Sequence, residues 1–134
     1  MILSSTGIAN VLDINNTNVS VKLSSRSNDK TVFGIYSHKE LNEFTHEHIH
    51  YVNSLGEGGV LVSNYNGEIQ NGDYITSSPI PGYGALQSDD ILHSYTVAKC
   101  TETIDWSIIS ENVLCPLDGK MYKSYLAACT YHCG

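Results

Sequence analysis

His46, His48 and His50 occupy alternate positions in His46-Glu47-His48-Ile49-His50-Tyr51-Val52-Asn53. Alternate residues of a strand share a face. The pattern therefore predicts three imidazoles in a row, about 7 Å apart, with Glu47, Ile49 and Tyr51 on the opposite face. Imidazole is a common metal ligand, but one strand rarely brings three of them onto a single tetrahedral ion. A threefold axis changes this, because one histidine from each of three chains can meet at a point. The row predicts a polar strand facing solvent or a neighbouring subunit. An axial metal or anion site at His46, His48 or His50 is the alternative. No cofactor follows from the row.

Four cysteines are present, Cys100, Cys115, Cys129 and Cys133. No Cys-x2-Cys pair occurs, so the usual zinc-knuckle spacing is absent. Cys129 and Cys133 share a strand face and stand too far apart to bridge each other easily. A Cys100–Cys129 bridge remains open in principle. Maturation in a reducing cytosol predicts free buried thiols instead. Asp89 and Asp90 are adjacent, so a strand would point them oppositely and serve paired-carboxylate chemistry poorly. They read as solvated turn residues. His93 with Ser4, Ser5 or Ser94 matches no nucleophile elbow. No catalytic residue is expected.

The elements that must position these groups are strands. Asn71-Gly72-Asp73 is a tight turn, and Tyr74-Ile75-Thr76 is a run of β-formers. Pro79 and Pro81 then exclude a strand interior, because neither has an N–H to give a ladder. Gly82 and Gly84 let the backbone bend around Tyr83. This predicts a stiff corner that steers the chain from one sheet edge to another. Val19, Val21 and Leu23 alternate with polar residues as in a half-buried strand. Thr31 to Tyr36 is a second strand, in which Gly34 marks a bulge or close packing. Ser54 to Gly59 reads as a flexible turn, Val60 to Tyr65 as a central strand, and Asn66-Gly67 as a hairpin turn. Leu92 to Cys100 predicts a long strand, and Trp106 a plug at one end of the core. Met121 to Cys133 closes the chain, with Tyr125, Ala127, Cys129 and Tyr131 on one face. The sum is an all-β barrel or sandwich of nine or ten short strands with little helix. Residues 1–16 read as a lead-in segment or edge strand, and 17–134 as one β-domain.

At 134 residues the chain is one domain by length and long enough for a real core. The formal charge of −7 argues against a nucleic-acid partner, which needs a basic patch. No apolar run reaches the roughly 18 residues of a membrane span. Met1 to Ser5 is too short and uncharged for a signal peptide. The sequons at Asn15 and Asn18 read as chance in an Asn/Thr-rich loop. Charged residues are sparse, at 16%, and tyrosines number nine. Such a surface favours burial against other subunits, since Tyr offers apolar area with a polar tip.

The run Gly72-Asp73-Tyr74-Ile75-Thr76-Ser77-Ser78-Pro79-Ile80-Pro81-Gly82-Tyr83-Gly84, with Val52 to Asn64 before it and Ile91 to Cys100 after it, resembles a domain near the C-terminus of viral and phage fibre-like structural proteins. The resemblance also takes in Lys30 to Ile35 and Thr130 to Gly134, and covers roughly residues 17 to 134. Related domains belong to the peptidase G2 group of self-cleaving intramolecular chaperones on phage appendages. The resemblance implies a virion protein made in the host cytoplasm. It implies self-association as a trimer and contacts with other virion proteins. Group members cut their own chain with an acidic motif of the form Ala-Asp-Tyr-Ala-Glu. Gly7-Ile8-Ala9-Asn10-Val11-Leu12-Asp13 does not match it, so no catalytic residue carries over.

The leading expectation is thus a fibre, tail or capsid-associated domain that assembles with copies of itself and catalyses nothing. Pro79, Pro81 and Tyr83 at the corner and His46, His48 and His50 in the row are the candidate contact residues. Two alternatives stand beside it. One is a self-cleaving chaperone for an upstream fibre. The other is a head binding a host glycan or receptor through Tyr65, Tyr83 and Trp106.

Overall fold

Short runs of β-formers broken by Gly, Asn and Pro give ten strands and, among the described residues 1–133, no α-helix. The computed structural model therefore agrees with the all-β expectation. Gly134, the last residue of the ending singled out above, lies outside the described residues.

Six strands make the body. They are β5 (Leu55–Ser63), β6 (Tyr74–Ser77), β7 (Gly84–Leu86), β8 (Thr96–Cys100), β9 (Asn112–Leu114) and β10 (Met121–His132). Their order is β5-β7-β6-β8-β10-β9, and a further pairing of β10 with β5 closes a five-stranded barrel. β10 is the seam. On one edge it pairs with β5 from Ser124↔Ser63 to His132↔Leu55. On the other it pairs with β8 from Cys129↔Cys100 to Tyr131↔Ala98. The alternation in its sequence decides its faces: Ala127, Cys129 and Tyr131 are buried, while Leu126 and Ala128 lie outside. Val60, Val62, Ile69, Ile75 and Val97 fill the interior with them. Trp106, on a single 3-10 turn (Trp106–Ile108), plugs one end, and its indole N–H donates to the Ile69 carbonyl at 2.9 Å.

The other four strands are β1 (Ile2–Asp13), β2 (Asn16–Leu23), β3 (Val32–Leu41) and β4 (His48–Asn53). They form a second sheet, ordered β2-β1-β3-β4. Its inner end packs on the barrel through Ile2, Val32 and Ile35. β1 and β3 pair only at Ile2↔Ile35, Leu3↔Gly34 and Ser4↔Val32. Beyond Ser4 β1 continues with β2 alone, and beyond Ile35, at the opposite end of this antiparallel contact, β3 continues with β4 alone. The sheet thus splits into two arms, with β1 exposed from Thr6 to Asp13 and β3 from Ser37 to Leu41.

Several expectations are corrected. Residues 1–16 are not a lead-in: Ile2–Ser4 lie between β2 and β3, and only from Ser5 on does β1 have β2 as its one neighbour. The Gly56–Gly59 segment is strand, not turn. A Cβ on Gly58 would collide with the Tyr131 hydroxyl and one on Gly59 with Leu126, so the glycines let β10 lie closely over β5. Asn66-Gly67 turns the chain but starts no returning strand, since Ile69 drops into the core instead. β8 begins only at Thr96, after a turn in which Thr96 N–H donates to the His93 carbonyl.

The Pro/Gly corner also differs from its expected role. It joins β6 to β7, neighbours in one sheet, rather than steering the chain to another edge. Ile80-Pro81-Gly82-Tyr83 is a turn closed by Tyr83 N–H on the Ile80 carbonyl, with Gly82 at φ +77° as a type II turn requires. Gly82 then binds the second sheet. Its carbonyl accepts from Ile2 N–H and its N–H donates to the Ser24 carbonyl, both at 2.8 Å. The corner is the joint between barrel and arms.

Candidate functional site

Apolar side chains face solvent on the barrel, among them Leu55, Ile108 and Leu117, and along both arms, whose tips carry the most exposed of them. Each tip is an ordered turn. In the β1–β2 tip, Asp13 Oδ1 accepts from Asn15 N–H at 2.8 Å. In the β3–β4 tip, Asn42 Oδ1 accepts from Phe44 and Thr45 N–H at 2.9 and 3.2 Å. These turns hold an apolar side chain outward at each tip, Ile14 at 96% exposure and Phe44 at 97%. Ile8, Val11, Leu12, Leu41, Ile49 and Tyr51 are exposed along the shafts.

Where the arms diverge they bound an open cavity of about 910 Å³. Leu3, Val19 and Val21 line one side, and Tyr36, His50 and Val52 the other. His50 Nδ1 lies 3.1 Å from the Tyr36 hydroxyl. The opposite face of the β3–β4 arm carries a second aromatic pair. His38 stacks on Tyr51 with centroids 4.7 Å apart, and both side chains meet Glu40. A bulge at Ser37, between Tyr36↔Val52 and His38↔Tyr51, sets this register.

The histidine row is only partly formed. His48 and His50 belong to β4 and share a face, opposite Leu41 and Lys39. His46 precedes the strand, in the left-handed region at φ +57°, where its N–H donates to the Asn42 carbonyl. The cap supplied by Asn42, rather than strand geometry, sets its position. His38, which alternation did not single out, is the histidine most fully engaged on the arm. Among the described residues no three His, Cys, Asp or Glu side chains gather as a metal site within one chain.

The corner residues lie elsewhere. Pro79 is buried, Tyr83 half-buried and Pro81 exposed. Pro79 and Pro81 border a shallow cleft of about 530 Å³ with Tyr65, Pro116 and Leu117. None of these residues borders the cavity between the arms. The structure therefore does not bring the two groups of candidate contact residues together. Trp106, one of three aromatics expected for glycan binding, is 2% exposed and belongs to the core.

The groups considered for catalysis are engaged structurally. Asp89 accepts from His93 Nε2 at 2.9 and 3.0 Å, and from Ile91 N–H and Gln87 Nε2. The His93 contact holds its carboxyl below the ordinary value. The other face of His93 stacks on Tyr95 at 4.6 Å. Ser4 Oγ donates to the buried Asp29, and Ser5 Oγ accepts from Gly7 N–H, so neither is aligned with His93. All four cysteines are buried and free. Among the described residues no helix is long and apolar enough to cross a membrane.

Fold and surface together define the chain's class by structure: a small closed β-barrel carrying a split four-stranded sheet. Compared with family models, with curated proteins and with solved structures, the chain matches none.

Proposed function

We propose that the chain is a structural domain of a virion fibre, tail or capsid-associated protein, and that it works by self-association through its two arms. The single observation that carries this reading is the exposure of apolar side chains along both hairpins, from Ile8 to Ile14 and from Leu41 to Tyr51. Two-stranded ribbons are marginal alone in water, and these are apolar where they leave the body. A second copy laid against the arms would remove that surface from water and extend the sheet edges left open at β2 and β4. A trimer is the assembly of choice, because it also sets His48 and His50 from three chains around one axis. The viral setting rests on the resemblance of the Gly72–Gly84 run and its flanks.

The test is the molar mass of the intact chain in solution by light scattering, across a hundredfold range of concentration. A mass of three chains at the upper end is expected. A strict monomer of 14.7 kDa throughout would remove the proposal.

A further inference from the structure

Cys100 and Cys129 face each other across the barrel seam, as direct Cα partners in the antiparallel β8–β10 pair. The pair is of the non-hydrogen-bonded kind. Cys100 N–H donates to the Asp73 carbonyl and its own carbonyl accepts from Gly72 N–H, so both point away from β10. The next ladder bond to β10 is Thr101 N–H to the Ala128 carbonyl, one residue along. Such pairs bring Cα atoms to about 4.5 Å and side chains closer than the alternate kind. That spacing lies inside the ~4.4–6.8 Å range a disulfide spans. Both side chains point into the barrel, at 1% and 2% exposure. Each thiol donates to a carbonyl of its own strand segment, Cys100 to Glu102 and Cys129 to Ala127.

We propose that Cys100 and Cys129 are a modification site, at which an oxidising small-molecule disulfide installs an intramolecular staple across the barrel seam. The step balances as thiol–disulfide exchange. One cysteine thiolate attacks glutathione disulfide, forming a mixed disulfide and releasing one glutathione. The second thiolate attacks that cysteine sulfur, forming the Cys100–Cys129 bond and releasing the other glutathione. The protein loses two protons and two electrons, and glutathione disulfide takes up both to become two thiols. Burial pushes both thiols up, Cys129 to about 12, so the closed barrel keeps them unreactive. Exchange therefore takes place while the seam is open, during folding, and the closed barrel then protects the product. Cys133, whose thiol donates to the Val97 carbonyl, and Cys115, near β9, have no cross-strand cysteine partner. The inference does not depend on self-association.

The test is refolding of the full chain from urea in a glutathione redox buffer, followed by thiol counting in denaturant and chymotryptic mapping by mass spectrometry. Cleavage after Trp106 and Tyr131 separates Cys100 from Cys115 and Cys129 from Cys133. The expected result is a mass lower by two hydrogen atoms, two thiols instead of four, and a linked pair of peptides carrying Cys100 and Cys129. A Cys115→Ala/Cys133→Ala double variant keeps the pair and must lose both its thiols under the same treatment. Retention of all four thiols, a bridge to Cys115 or Cys133, or a persistent glutathione adduct would overturn the proposal.

Discussion

Ser4 Oγ donates to the Asp29 carboxylate at 3.0 Å, across 25 residues of chain, and the pair is buried where the split sheet meets the barrel. Asp29 also accepts from Thr31 Oγ1 and Thr31 N–H at 2.6 and 2.9 Å. Its own N–H donates to Ser77 Oγ on β6, and that hydroxyl donates to the Arg26 carbonyl. One carboxylate thus ties β1 and the 24–31 loop to a barrel strand.

Burial alone would raise the Asp29 pKa. The Thr31 and Ser4 hydrogen bonds, with Arg26 nearby, outweigh it and hold the carboxyl below its ordinary 3.8. A depressed folded-state value means the stabilisation is complete above the ordinary value. It is lost as pH falls through the folded-state value. Asp29→Ala leaves Ser4 and Thr31 donors unpaired in a buried site, at a cost of about 2–3 kcal/mol at pH 7. Urea unfolding of both proteins at pH 7 and at pH 2 checks this. The gap between them should shrink at the lower pH.

Tyr122 gives a second, opposite pH signature. Its hydroxyl donates to Asp118 Oδ2 at 2.5 Å, and that bond pushes the phenol up to about 12. A raised folded-state value places the stabilisation below the ordinary value of 10.0, with loss as pH rises through about 12. In an ultraviolet titration of tyrosinate, beside Tyr125 and Tyr131, whose phenols are also raised, the Tyr122 phenol should ionise late. Asp118→Asn should bring it back toward the others.

Gly84 lies where the joint is tightest. A Cβ there would sit 2.5 Å from Ile75 Cγ2 and 3.2 Å from Ile2 Cδ1, touching barrel and arm sheet at once. Gly84→Ala should cost about 1–3 kcal/mol by overpacking. Ile75→Leu alongside it, which removes the Cγ2 methyl at nearly constant volume, should recover part of the loss, which a double-mutant cycle in urea would read.

The arm tips separate assembly from folding. Ile14→Ser and Phe44→Ser change side chains that touch almost nothing in the monomer. Barrel stability should move by less than about 0.5 kcal/mol. Self-association, measured by sedimentation equilibrium, should weaken at least tenfold, by about 1.4 kcal/mol or more.

Much of the barrel was legible because its signals are local. The alternation through Tyr125, Ala127, Cys129 and Tyr131 gave β10 and its inner face, and Gly34 does lie against Val52 at a bulge. What stayed hidden depends on distant chain. Residues 1–16 read as a lead-in segment or edge strand, yet Ser4 is buried inner strand whose hydroxyl Asp29 accepts. The glycines of β5 read as a loop, yet Tyr131 and Leu126 cover them. His46 falls out of the row because Asn42 caps a turn there, and His38 enters the arm's aromatic pair through the Ser37 bulge. No alternation pattern reports a cap or a bulge. The division of one sheet into two arms is likewise a matter of where β1 and β3 stop pairing.

Amide hydrogen exchange at two protein concentrations tests the role of the arms most directly. If copies associate through them, amides in Thr6–Leu23 and Ser37–Asn53 will exchange more slowly at high concentration, while those of β6 and β8 keep the same rates. Arm amides that exchange equally fast at both concentrations, in a sample whose mass has risen, would place the contact elsewhere and contradict the account.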